Sequence, residues 1–72
     1  MKFPVDRKGD NMYKIVYDID DGRRNTTEYR NAATYAGAQL AIKELIIRSD
    51  VTDIYLCRQI NYINAYVERR KL

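Results

Sequence analysis

The chain has 72 residues and a mass of 8.5 kDa, enough for one domain at most; folding removes only about 60% of the surface of so short a chain, so its stability margin is thin. Its residues are 46% hydrophobic and 32% charged, a globular rather than a disordered mixture, and no apolar run approaches the roughly 18 residues of a membrane span. With no histidine, no tryptophan, one serine and one cysteine, Ser-His-Asp and Cys-His catalysis and Cys/His zinc sites are excluded, and the expectation is a non-enzymatic protein without metal or cofactor.

Residues 1–11 hold Pro4, Gly9 and alternating charges around Phe3 and Val5. They read as a flexible lead-in to a single domain spanning 12–72. Met12 to Ile19 alternates, with Tyr13, Ile15, Tyr17 and Ile19 on one side and Lys14, Val16 and Asp18 on the other, the pattern of a half-buried strand. Asp20-Asp21-Gly22 ends it. A two-residue loop would set Arg30, Glu28, Thr26 and Arg24 opposite the apolar set; a three-residue loop with Gly22 left-handed sets Tyr29, Thr27 and Asn25 there instead. The second register keeps one face apolar and is the one expected. Asn25 and Glu28 also have capping-box spacing, but Thr26-Thr27 favours strand.

Asn31 is a suitable N-cap, and 32–48 reads as a helix. Tyr35, Ala38, Ala41, Ile42, Leu45 and Ile46 fall in an arc about 140° wide, the width of a core-facing stripe. Alanines and Gly37 in its first half suit a close approach to a sheet. A second stripe, Ala33, Ala36, Leu40 and Ile47, lies opposite, where a helix on one sheet has no use for it. Either residues 1–11 cover it, through Phe3 and Val5, or a partner does. Asp53–Gln59 is a strand with Ile54 and Leu56 opposed to Tyr55 and Cys57. Residues 62–69 alternate again, Ile63, Ala65 and Val67 against Tyr62, Asn64 and Tyr66, after a turn at Ile60-Asn61. The expected fold is α+β, a ββαββ antiparallel sheet with one helix on one face; a C-terminal helix, giving ββαβα, is the alternative.

The net charge is +3, and Arg69, Arg70 and Lys71 supply all of it. The body is neutral, and the surplus reads as a solvated C-terminal tag rather than the basic stripe of a duplex binder. Asp18-Ile19-Asp20-Asp21-Gly22 fails as a calcium loop, since from Asp18 the glycine is fifth and Tyr29 stands where a carboxylate is needed. Cys57 reads as a buried structural thiol; one unpaired cysteine and no export signal point to the cytoplasm.

The seven tyrosines carry nearly all the aromatic mass. Tyr55, Tyr62 and Tyr66 are expected on the open face of the sheet, flanked by Arg58 and Arg69. The functional expectation is a small binding protein that docks on a larger host or cognate protein and modulates or inhibits it, through Ala36, Leu40 and Ile47 on the helix or Tyr55, Tyr62 and Tyr66 on the sheet. In size, exposed stripe and lack of catalytic residues it looks like small accessory or inhibitor proteins such as those carried by phages. The alternative is a single-stranded nucleic-acid binder using the tyrosine face with Arg58, Arg69, Arg70 and Lys71. A third reading is a subunit that pairs through its second helix stripe with another copy of itself. No membrane partner is expected.

Overall fold

The computed structural model describes residues 12–61 and 63–72; the expectations for the 1–11 lead-in, its cover of the helix stripe and Tyr62 lie outside them. The described chain is the expected ββαββ: β1 (Tyr13–Asp20), β2 (Asn25–Ala32), α1 (Tyr35–Ile46), β3 (Val51–Ile60) and β4 (Ile63–Lys71). One antiparallel sheet runs in the order β2-β1-β3-β4, and the last segment is strand, not helix. The two central strands alternate as their sequences do. Ile15, Tyr17 and Ile19 of β1 stand opposite Leu56, Ile54 and Val51 of β3, and Ala38, Ile42 and Leu45 of α1 close the core over them. All nine are buried.

The β1–β2 register differs from the expected one. Asp20 pairs with Asn25, so the loop has four residues, 21–24, and Tyr13, Ile15, Tyr17 and Ile19 oppose Ala32, Arg30, Glu28 and Thr26. Gly22 does take the left-handed conformation, with φ +91°. The loop is held by side chains: Asp20 Oδ1 accepts from the Gly22 N–H at 2.9 Å, and Asp21 Oδ1 accepts from the Arg23 and Arg24 N–H groups at 2.8 and 3.2 Å. Those backbone donors hold the Asp21 carboxyl below its usual range. Charge opposite a core strand is tolerated because β2 is an edge. Arg30 reaches across to Glu44 of α1 at 2.9 Å, and the Tyr17 hydroxyl donates to Glu28 at 3.2 Å.

The helix begins later than Asn31 suggests, because β2 continues through Asn31 and Ala32. Thr34 is the N-cap, its Oγ1 accepting from the Gly37 N–H at 3.0 Å. Gly37 serves this cap: a Cβ there would lie 3.2 Å from Thr34 Oγ1. The shorter helix leaves Tyr35 and Ile46, both expected in the core, on its margins. Tyr35 packs edge-on against Tyr13, ring centroids 5.8 Å apart, and its hydroxyl lies 3.5 Å from Glu68 Oε1. At the other end Arg48 grips Asp50 with two bonds of 3.0 and 2.8 Å and depresses that carboxyl.

Candidate functional site

Three surfaces gather the residues singled out from the sequence. The first is the outer face of α1. Ala36, Leu40 and Ile47 are exposed, Leu40 at 62% and Ile47 at 84%. Ala33 is also exposed but precedes the helix, so the stripe narrows to three side chains. Lys43 and Glu44 lie between Leu40 and Ile47, and Glu44 is turned toward Arg30.

The second surface is the sheet face turned away from α1. Directly opposed residues of paired strands share a face, so one row crosses the sheet as Tyr29, Val16, Tyr55 and Arg69, and the next as Asn31, Lys14, Cys57 and Tyr66. Tyr55 and Tyr66 are therefore brought together as expected. Tyr29, which the sequence reading assigned to the core side, and Lys14 join them; with β2's register known, simple parity from Thr27 gives the side of Tyr29. Lys14 Nζ sits 4.3 Å from the Tyr29 ring centre, and the Arg69 guanidinium 5.2 Å from that of Tyr55. Cys57 is half-buried on this face rather than a core thiol.

Two basic residues are not where the nucleic-acid reading needs them. Arg58 opposes Tyr13 and Ala65 and so lies on the helix side of the sheet, away from Tyr55 and Tyr66. Its parity with Ile54 and Leu56 already indicates this. The terminal trio is not a free tag either. Arg69, Arg70 and Lys71 belong to β4 and pair with Tyr55, Ile54 and Asp53. Arg69 makes two 3.1 Å bonds to Asp53, and Arg70 one of 3.2 Å to Glu68. The Arg69 guanidinium holds the Asp53 carboxyl below its usual range, and Asp53 in turn raises the pKa of Arg69. A bulge at Val67 swaps the facing of β4, which puts Glu68 and Arg70 on the helix side and Arg69 and Lys71 on the open side.

The third surface is the end of the β3–β4 hairpin. It closes as a two-residue turn after the Ile60–Ile63 pair, with Asn61 left-handed at φ +50°, one position later than expected. Because α1 starts above Tyr13, it does not reach this end, and Ile60 and Ile63 remain exposed on the helix side. No sequence signal marked them, since their alternation fits a covered strand equally well.

An open depression is lined by Asp18, Asp20, Asn25, Thr26, Thr27 and Thr52, with the Thr27 hydroxyl donating to Asp18 at 2.8 Å. Among the described residues, no three His, Cys, Asp or Glu side chains meet in a way that could hold a metal ion. No described helix is long and apolar enough to cross a membrane. Compared with protein-family models, with curated proteins and with solved structures, the chain matches none.

Proposed function

We propose that the protein is a non-enzymatic binding module that docks on a larger protein through the outer face of α1 and modulates it. The observation that carries this reading is the pair Leu40 on α1 and Ile47 at its C-cap, exposed at 62% and 84% while the opposite side of the helix already builds the core. Helices that lay an apolar stripe into a partner's groove use anchors at i, i+3, i+4 and i+7, the last being the spacing of Leu40 and Ile47, and flanking charges such as Lys43 supply register. A protein partner is favoured over a polyanion because four arginines, two of the terminal trio among them, are already engaged by carboxylates: Arg30 with Glu44, Arg48 with Asp50, Arg69 with Asp53 and Arg70 with Glu68. Phosphate neutralisation needs free cations.

Replacing Leu40 and Ile47 together by Asp should leave the unfolding free energy within about 0.5 kcal/mol of the parent's, as for other exposed positions. The same double variant should lose capture of the protein that the parent retains from nuclease-treated lysate. Undiminished capture, or an unfolded double variant, overturns the reading. A second reading rests on Tyr55 and Tyr66 sharing the open sheet face with Arg69 and Lys71: single-stranded nucleic acid stacked on the tyrosines. It predicts oligonucleotide binding that collapses as salt rises and weakens when Tyr55 and Tyr66 are replaced by Ala.

A further inference from the structure

β4 ends the sheet, so one row of its backbone N–H and C=O groups points away from β3, and no described strand lies on that side. The strand divides sharply in chemistry. Ile63-Asn64-Ala65-Tyr66-Val67 carries no charge, proline or glycine, whereas Glu68-Arg69-Arg70-Lys71 is charged throughout. Ile63 is 68% and Tyr66 64% exposed. An uncharged, β-prone edge is a template for another strand.

We propose that this edge is the interface of a homodimer, two copies joined β4 to β4, antiparallel, about a two-fold axis at Ala65. Ile63 of either copy then faces Val67 of the other, Asn64 faces Tyr66, and the two Ala65 side chains meet at the axis. Charge order selects both the partner and the direction. Antiparallel pairing joins the two uncharged halves and sends the Arg69-Arg70-Lys71 trios out at opposite ends. Parallel pairing would set trio beside trio, with like charges directly opposed. A foreign strand would need a matching uncharged stretch, which a second copy has by identity. On the helix side, Ile60 and Ile63 of both copies gather around the Ala65 pair, between the two helices, which gives these exposed side chains a covered environment. Association stops at two, because the outer edges of the eight described strands are both β2, where Glu28 and Arg30 put charge on the edge and, with Thr27, are already tied to neighbours.

Five paired residues form a small interface, below the roughly 1,200 Å² of stable complexes, so the expected Kd is in the range of about 10–100 µM. The dimer leaves the outer face of α1 free, so it stands or falls independently of the docking function. Sedimentation equilibrium on the full chain should show the mass rising from 8.5 kDa toward twice that value between about 10 µM and 1 mM. In a Cys57→Ser background, oxidising a mixture of Ile63→Cys and Val67→Cys chains should give the mixed disulfide, since opposed Cβ atoms lie about 4.5–5.5 Å apart. Ile63→Cys alone should not cross-link. Ala65→Lys should weaken association at least tenfold with an unchanged far-UV spectrum; if it does not fold, the cysteine pairs decide. A mass of 8.5 kDa at every concentration overturns the proposal. So does Ile63→Cys linking to itself, or a dimer lost in the Leu40→Asp, Ile47→Asp variant but kept in Ala65→Lys.

Discussion

The two edges of the sheet have the same length to within a residue and are both largely exposed, yet they are finished in opposite ways. β2 turns polar side chains to the solvent and ties four of its residues to neighbours: Glu28 to Tyr17, Thr27 to Asp18, Arg30 to Glu44, Tyr29 beneath Lys14. β4 leaves Ile63, Tyr66, Val67 and the adjoining Leu72 exposed and concentrates its polar ties in the last four strand residues. An edge whose side chains are mutually satisfied resists further pairing, and an apolar edge invites it. The difference teaches where the molecule is finished and where it is open to company.

Both edges hang on the β1–β3 pair, and the largest effect should come from there. Leu56 is fully buried beneath α1. Leu56→Ala should cost about 3 kcal/mol, a large part of the stability of a domain this small. Hydrogen exchange should then show β2 and β4 losing protection together. Loss confined to one edge would mean that the edges are independent units, and the comparison would need to be redrawn.

A smaller effect separates the edges themselves. Arg30 on β2 lies half-buried, with its guanidinium 5.8 Å from the Tyr17 ring centre and paired to Glu44. Arg30→Ala removes packing as well as charge and should cost about 1 kcal/mol. Arg70 on β4 pairs with Glu68 two residues away at the exposed rim. Arg70→Ala should stay within about 0.5 kcal/mol of the parent by urea denaturation. Equal costs would show that β2's ties are ornamental and that its polar finish does not stabilise the fold.

The same contrast explains what the amino-acid order reveals and what it hides. β1 and β3 are legible because each buries one side, so Ile15, Tyr17 and Ile19, or Ile54 and Leu56, alternate visibly. The core side of α1 is legible for the same reason at Ala38, Ile42 and Leu45. β2 buries almost nothing, and its register could not be found by asking which pairing keeps charge away from the core: Glu28 and Arg30 stand opposite core residues but at an edge, where water and Glu44 receive them. The start of α1 was obscured because Asn31 and Thr34 are both good caps, and only the continued pairing of Asn31 with Lys14 decides between them. The place of Arg69-Arg70-Lys71 in a strand depends on Asp53 sixteen residues away and on a bulge at Val67. Neither leaves a local trace in the sequence. Of the candidate surfaces, the outer stripe of α1 was legible from helical spacing except at Ala33, which precedes the helix, whereas the open tip at Ile60 and Ile63 follows from the shortness of α1.

The smallest effect concerns acid, and it again sets one edge against the other. Each hairpin holds one depressed carboxyl, Asp21 in the β1–β2 loop and Asp53 beside β4. A carboxyl whose folded pKa lies below its unfolded value of about 3.9 contributes stability that is fully present above that value. The contribution fades as pH falls through the folded pKa. Asp21→Asn and Asp53→Asn should therefore each flatten the decline of stability below about pH 4 and leave its slope unchanged between pH 5 and 8. Their salt responses should differ. Asp53 is held by the Arg69 guanidinium, an ion pair that about 1 M salt screens, so its variant and the parent should converge in high salt. Asp21 is held by the backbone N–H groups of Arg23 and Arg24, short contacts between an ion and fixed dipoles that salt weakens less. Its variant should keep its difference from the parent. Convergence of both variants would mean that the β1–β2 loop, like β4, is held by its arginine charges and not by its turn geometry.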